Sequence, residues 1–277
     1  MTEYSIRPGE LAVELENHGY ESFWAGDHTH IPTRGQDTPQ NPEYAHLMDP
    51  FLVLAEASAR TTRIRLGTGI CLINDRDAIV TAKQVATLDT LSGGRFLFGV
   101  GAGWNKEAML NHGTDPATRW RSMRDRVGAM MEIWTNDIAT SDRELVKFGP
   151  MWSWPKPAQS PHPPVLIGGG VAMIRHVVAY GDGWAPMTTN WSFDEMAQNV
   201  ALLRRQTDEA GRGPLPVTAF DTPDLVQLAL GGPDKLDDRR WDAYARAGVD
   251  RVVVILPPWR ERTLPLLERY ARFAAGR

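Results

Sequence analysis

The sequence predicts an α/β protein, and within that class a (β/α)8 TIM barrel. Three observations carry this. Apolar strands alternate with amphipathic helices along nearly the whole chain, and parallel strands need such crossovers. Seven strands centre near residues 23, 64, 96, 166, 184, 217 and 252, close to the eight that a closed barrel requires. Polar or glycine-rich groups of the kind that build sites follow at least five of these strands. An open doubly wound sheet is the structural competitor. The remaining strand would precede the first helix, where only Met1–Ile6 stands, so the chain reads as a barrel apparently lacking its first strand.

The elements follow from local chemistry. Pro8 suits a first helical turn, Leu11, Ala12 and Leu15 share a face, and Gly19 is a stop, which predicts a helix from Pro8 to His18. Glu21–Gly26 is a strand that ends in Asp27-His28-Thr29-His30, and a polar loop runs to about residue 46. Asp49-Pro50 opens a helix to about Ala59; Arg63–Ile70 is a strand; Asp77–Leu91 is a helix; Ser92-Gly93-Gly94 turns into the strand from Arg95. Met123, Val127, Met130, Met131 and Trp134 mark one face of a helix from Ala117 to Trp134. Residues 136–163, with Trp152, Trp154 and five prolines, read as an irregular insertion or lid in a single domain spanning 1–277. Strands at Val165–Ile167, Gly183–Met187 and Pro216–Phe220, a helix from Phe193 to Gly211 and another from Lys235 to Ala247 restore the alternation. Arg251–Leu256 is a buried parallel strand, and Leu264, Leu267, Tyr270, Ala271 and Ala274 close the chain as an amphipathic helix.

Composition narrows the class. With 277 residues, 42% of them hydrophobic, the core needs no staple, and the single Cys71 forms no disulfide within the chain, which suits a reducing cytoplasm. A net charge of -4 argues against a general binder of nucleic acid or of anionic membranes. No apolar run is long enough to span a bilayer, and Met1–Glu10 has no apolar stretch of a secretory leader.

The candidate chemistry sits at strand ends. Asp27 beside His28 is either a carboxylate–imidazole pair for acid–base work or a loop anchor. His28-x-His30 also has metal-ligand spacing, but later strand ends offer Gly168-Gly169, Trp184 and Pro257 rather than further ligands, so no metal site is expected. Thr68-Gly69 lets backbone press on a planar ring, or is a tight turn. Gly99, Gly101 and Gly103 open the end of the strand from Arg95 to close approach. Asn105 and Glu107 are cap and dipole partners of the next helix, or a cofactor contact and an acid. Gly168-Gly169-Gly170, between strand and helix, is the best phosphate cradle, with Arg175 nearby as an assistant or a surface charge.

Taken together, these pieces resemble the bacterial luciferase-like monooxygenase superfamily, and within it the actinobacterial branch of F420-dependent oxidoreductases. The residues that carry the resemblance are Gly19–Pro32, Leu66-Gly-Thr-Gly69, Gly93–Asn105, Arg119, Trp154-Pro-Lys-Pro157, Pro163–Gly170 and Gly181-Asp-Gly-Trp184, in family order. The resemblance implies a barrel with an insertion before its fifth strand and a flavin or deazaflavin at the C-terminal mouth. It implies Asp27 and His28 beside the ring, Thr68-Gly69 backing it through a bulge or cis peptide, Asn105 as a contact and Gly168–Gly170 on the phosphate. His28 is then the proton-transfer candidate, with Glu107 a weaker one; for such an enzyme Trp104, Trp184 and Trp191 are candidate pocket walls. The expected cofactor is coenzyme F420, with FMN as the alternative; the expected partners are a small-molecule substrate and a second copy in a homodimer. Family members begin with a strand that is absent here, which reads as a start upstream of Met1 or as a degenerate, inactive paralogue. A metal-dependent hydrolase and a non-catalytic paralogue are the competing functions.

Overall fold

The structure, a computed structural model, describes residues 1–35, 37, 42–224, 236–257 and 259–274. Parts of the expected loop before residue 46, and Lys235 at the expected start of a helix, lie outside the described residues. The chain forms two compact units, one of Met1–Pro164 with Pro258–Arg277 and one of Val165–Pro257.

In the first unit, α1 (Pro8–Asn17) leads through Gly19, at φ +79°, into β1 (Ser22–Ala25). Before α1, Thr2 forms an antiparallel bridge with Leu47. α2 (Pro50–Arg60) is capped by Asp49, whose carboxylate accepts from the N–H groups of Phe51 and Leu52. β2 (Arg65–Thr68) and β3 (Cys71–Leu72) follow, then α3 (Ala78–Ser92), capped by Asp77 and stopped by the left-handed Gly93. β4 (Phe96–Gly101) is buried at every position. The strands pair in parallel: Phe23 with Leu66, Ala25 with Thr68, Leu66 with Phe96 and Cys71 with Val100. Both β2 and β3 therefore lie along β4, separated by Gly69 and Ile70, whose peptide bond is cis. Parallel pairing puts all these strand ends on one edge, where polar residues collect.

α4 (Lys106–Asn111) is short, and α5 (Arg119–Thr135) buries Met123, Val127, Met130 and Trp134. Met131 is only half-buried. Residues 136–163 contain an antiparallel hairpin, β5 (Ala139–Asp142) with β6 (Lys147–Met151), where the sequence predicts irregular chain. Its strands, ATSD and KFGPM, are polar and mostly exposed, so they carry too little apolar alternation to be read as strands. A helix at Arg260–Ala274 completes this unit, with Leu266, Leu267 and Tyr270 buried and the Tyr20 hydroxyl donating to the Leu267 carbonyl.

Two charged side chains knit the lower end of this sheet. The Glu16 carboxylate accepts from the N–H groups of Thr62, Arg63 and Ile64, tying α1 to the entry of β2. Burial acts to raise the Glu16 carboxyl, but those N–H groups outweigh it and hold it below its ordinary value. Arg95 donates to carbonyls of Ser58, Thr61, Ile64 and Ser92.

The second unit begins with β7 (Val165–Gly168) and a 3-10 turn at Val171–Met173 leading to α6 (Ile174–Tyr180). β8 (Gly183–Ala185) pairs in parallel with β7. α7 (Phe193–Glu209) opens with a reciprocal cap between Ser192 and Glu195. β9 (Thr218–Asp221), α8 (Asp238–Ala247) and β10 (Arg251–Val254) follow, with β10 parallel to β9. β10 is half-buried rather than buried, because among the described residues it pairs on one side only. Among the described residues no helix is long and apolar enough to cross a membrane.

Candidate functional site

The end of β1 carries Asp27 and His28, and their side chains part company. Asp27 is buried, and its carboxylate accepts from Arg76 Nε and Nη2, both at 2.7 Å, and from the Leu72 N–H at 3.0 Å. A buried carboxylate needs such partners. Arg76 also reaches Asp49 Oδ2 at 2.9 Å and lies over the Phe51 ring. Burial works against the Arg76 charge, yet the Asp27 and Asp49 contacts hold it protonated. The expected carboxylate–imidazole pair is thus a carboxylate–guanidinium pair.

His28 is half-buried among aromatic rings. Trp104 Nε1 donates to His28 Nε2 at 3.3 Å, and the Trp104 and Tyr44 ring centroids lie 5.7 and 5.3 Å from the imidazole. Burial pushes the imidazole below its ordinary pKa; the Asp27 charge pulls it up, and His30 adds to the lowering. A half-buried imidazole that stays neutral near pH 7 is a group able to take up a proton.

His30 does not face the same partners. Its Nδ1 meets Thr29 Oγ1 at 3.0 Å and its Nε2 meets Asn111 Nδ2 at 2.9 Å, while His112 Nε2 reaches the same Thr29 hydroxyl at 2.8 Å. Both ring nitrogens of His30 are thereby engaged in hydrogen bonds. Among the described residues no group of three or more His, Cys, Asp or Glu comes together to hold a metal. Asp75 is buried nearby: burial, and then the Asp27 charge, raise its carboxyl, opposed by His112, His30 and Arg76.

The other strand ends are more closed than the glycine pattern predicts. Thr68 is fully buried and its hydroxyl donates to the Gly99 carbonyl at 2.7 Å. A Cβ on Gly99 would lie 2.1 Å from the Thr68 carbonyl oxygen, and one on Gly101 would lie 3.1 Å from Ile70 Cγ2. The space at Gly99 and Gly101 is therefore taken up by Thr68 and Ile70. The Gly69 N–H donates to the Ala25 carbonyl at 2.7 Å, and the cis Gly69–Ile70 bond follows. Gly103 adopts φ +83°. Asn105 is buried as the cap of α4: its Oδ1 accepts from the Ala108 N–H, and its Nδ2 donates to the Asp37 carbonyl. Glu107 is half-buried under Gly35, where a Cβ would lie 2.4 Å from the Glu107 Cδ.

In the second unit, Gly168 ends β7, Gly169 takes φ +122°, and Gly170 caps the 3-10 turn. A Cβ on Gly169 would strike Met173 Cγ at 2.7 Å, whereas one on Gly170 would meet nothing within 4 Å. The Gly170 side of the turn is thus open to a ligand that approaches backbone. Arg175 is exposed, and its Nε points at His176 Nε2 at 3.4 Å. Trp184 is a core residue rather than a pocket wall: it is fully buried, and its Nε1 donates to the Gly169 carbonyl at 3.0 Å. The Trp191 ring lies 5.6 Å from it at a tilt of 42° and packs on the cluster of Met196, Ala219 and Tyr244.

Sequence reasoning missed Arg76, Tyr44 and His112. The signal for Arg76 was indirect. A buried Asp27 demands a cation, and Asn74-Asp75-Arg76 follows a neighbouring strand. Tyr44 and His112 come from segments distant in sequence and left no local signal.

Comparison with known proteins places these observations. The profile of a family described as "Luciferase-like monooxygenase" matches residues 7–223. An uncharacterized protein of Mycobacterium tuberculosis is 39% identical over 263 residues, covering 91% of this chain and 88% of that one. Among solved structures, a monooxygenase from Streptomyces bottropensis superposes with a TM-score of 0.81 at 17% identity, covering 96% of this chain and 91% of its own. An F420-dependent secondary alcohol dehydrogenase, in complex with an F420–acetone adduct, has a TM-score of 0.77 at 16% identity, covering 99% and 96%. The oxygenating constituent of 3,6-diketocamphane monooxygenase of Pseudomonas putida, in complex with FMN, has a TM-score of 0.66 at 18% identity, covering 88% and 73%. These likenesses show the fold, that of the luciferase-like (β/α) barrels.

Proposed function

The chain belongs to the luciferase-like monooxygenase family, and from that premise we propose that it is an oxidoreductase using the deazaflavin F420 for hydride transfer to or from a small organic substrate. One observation carries the reading: His28, at the end of β1, is half-buried between Tyr44 and Trp104 and held below its ordinary pKa. That is the state required of a group that exchanges a proton with a substrate oxygen while a hydride moves.

Each unit by itself offers groups of the kind such a cofactor uses. Trp104 is 43% exposed beside the imidazole, which offers a flat ring an apolar neighbour. The Gly170 turn offers unobstructed backbone for a phosphate, and the assignment of Gly168, Gly169 and Gly170 to that role is part of the proposal. Asp27, Thr68, Gly69, Gly101, Gly103 and Asn105 act mainly by shaping strand ends, since most of their polar atoms already serve the fold. F420, when bound, supplies two-electron hydride chemistry. His28 holds or receives the proton at Nε2, and Tyr44 and Trp104 limit the access of water to it. Glu107 is retained as a second acid, placed at the start of α4.

A flavin-dependent two-component monooxygenase is the second reading, supported by the likeness to an FMN-containing monooxygenase constituent. It uses the same protein groups. The proposal also includes a cytoplasmic homodimer, in keeping with the lone buried Cys71 and with the exposed Trp152 and Trp154 beside β6.

The test is a fluorescence titration of the purified protein with F420 and, separately, with FMN. Tight binding of F420 alone is the expected result. Tight binding of FMN alone moves the protein to the monooxygenase reading, and binding of neither overturns both. His28→Ala should then lower turnover about 10²–10⁴-fold with little change in cofactor affinity; a fully active variant removes the role of His28.

A further inference from the structure

The contact between Trp104 and His28 has chemical content beyond packing. An indole N–H donates and never accepts. The atom it meets, His28 Nε2 at 3.3 Å, must therefore present a lone pair. Among the described residues no other hydrogen bond reaches this imidazole. Asp27, its neighbour in sequence, spends its carboxylate on Arg76 and on the Leu72 N–H. His30 directs its ring nitrogens at Thr29 and Asn111. Tyr44 touches the imidazole ring to ring, at 5.3 Å between centroids.

We propose that Trp104 is a positioning residue for His28, and that its indole N–H fixes the resting imidazole as the Nδ1–H tautomer with an unprotonated Nε2. The inference rests on the reading of His28 as the proton-transfer group, and deepens it by naming which nitrogen is kept ready and what keeps it so. In His⁺ both nitrogens donate, so an imidazolium here would set two N–H groups against each other. Trp104 thus works with burial to keep the ring neutral. The charged and titratable groups around His28 act differently. Asp27 favours the imidazolium, His30 disfavours it, Arg76 pairs with Asp27 at close range, and Tyr44 meets the imidazole through its ring. Among the described residues, only Trp104 discriminates between the two ring nitrogens.

The experiment uses the full chain labelled with ¹⁵N-histidine, without cofactor, and reads the ring nitrogens by two-bond ¹H–¹⁵N correlation across the pH range. The His28 signals are assigned by their loss in His28→Gln. The wild-type protein should show His28 as the Nδ1–H tautomer on the neutral side of its titration. Trp104→Phe keeps an aromatic ring but removes the donor; the tautomer should move toward Nε2–H, and the titration midpoint should rise by about half a unit or more. Tyr44→Phe should leave the tautomer unchanged. An Nε2–H tautomer in the wild-type protein overturns the proposal without need of any variant. So does a folded Trp104→Phe protein with unchanged tautomer and midpoint, or a Tyr44→Phe protein that reproduces the shift. These spectra require neither turnover nor cofactor. An active His28→Ala enzyme would therefore defeat the catalytic reading while leaving the tautomer assignment to stand or fall on its own.

Discussion

Removing the guanidinium of Arg76 should be among the most damaging single changes to the first unit. Arg76 makes three charge-assisted hydrogen bonds, two to Asp27 at 2.7 Å and one to Asp49 at 2.9 Å. The side chains of Arg76 and Asp27 are 10% and 2% exposed, so this is a buried pair. Arg76→Met keeps an unbranched apolar side chain and deletes the charge, together with the guanidinium that lies over the Phe51 ring. Asp27 is left with two neutral donors, the Leu72 N–H and the Cys71 thiol, and a buried charge without its counter-charge costs about 3–5 kcal/mol. The contact with Asp49 adds little, because that carboxylate is a third exposed. For a domain of this size each kcal/mol lowers Tm by about 2–4 °C, so a fall on the order of 10 °C is expected. Urea denaturation and a thermal scan measure it. The double variant Asp27→Asn, Arg76→Met should be more stable than the sum of the single costs predicts, by at least about 1 kcal/mol, because removing both charges leaves none uncompensated. A loss below about 1 kcal/mol for Arg76→Met, the range of a solvated surface pair, would refute the reasoning. Strict additivity in the double variant would do the same.

Two further outcomes follow from the packing and the charges. Gly99→Ala must push a Cβ against the Thr68 carbonyl oxygen, since the ideal position lies 2.1 Å away, and should cost about 3 kcal/mol or more. Gly170→Ala, at φ −72° with nothing within 4 Å, should stay within about 0.5 kcal/mol of the parent; equal effects by urea denaturation would show that the strand-end packing is misread. Glu16→Gln should cost about 1 kcal/mol at pH 7, since three backbone donors lose a charged acceptor. The Glu16 carboxyl is held below its ordinary value of 4.5, so its stabilisation is present above that pH and is lost as pH falls through the lowered folded value. The gap between Glu16→Gln and the parent should accordingly narrow in acid; a gap that widens there contradicts the assignment.

Much of the fold was legible because its signals are local. The openings at Asp49 and Asp77, the stops at Gly19 and Gly93, and the apolar face of α5 all lie within a few residues of the elements they define. The hairpin of β5 and β6 was not legible, because a polar exposed pair is held by cross-strand backbone bonds that leave little trace in side-chain pattern. Strand ends told where polar residues collect, since parallel pairing sends them to one edge. They did not tell which side chains meet there.

By itself, the amino-acid order determined the strands and helices outside the β5–β6 hairpin, the parallel sense of those strands, and the presence of Asp27 and His28 at a strand end, because hydrophobic period, caps and turns are written over short spans. Only the tertiary structure decided that Asp27 answers Arg76, that the Thr68 carbonyl fills the space beside Gly99, and that Trp104 and Tyr44 enclose His28. Those partners lie 16 to 76 residues away along the chain. A hydrogen bond or a ring contact is set by distances of a few ångströms in space, and that proximity appears only when the strands have been laid side by side.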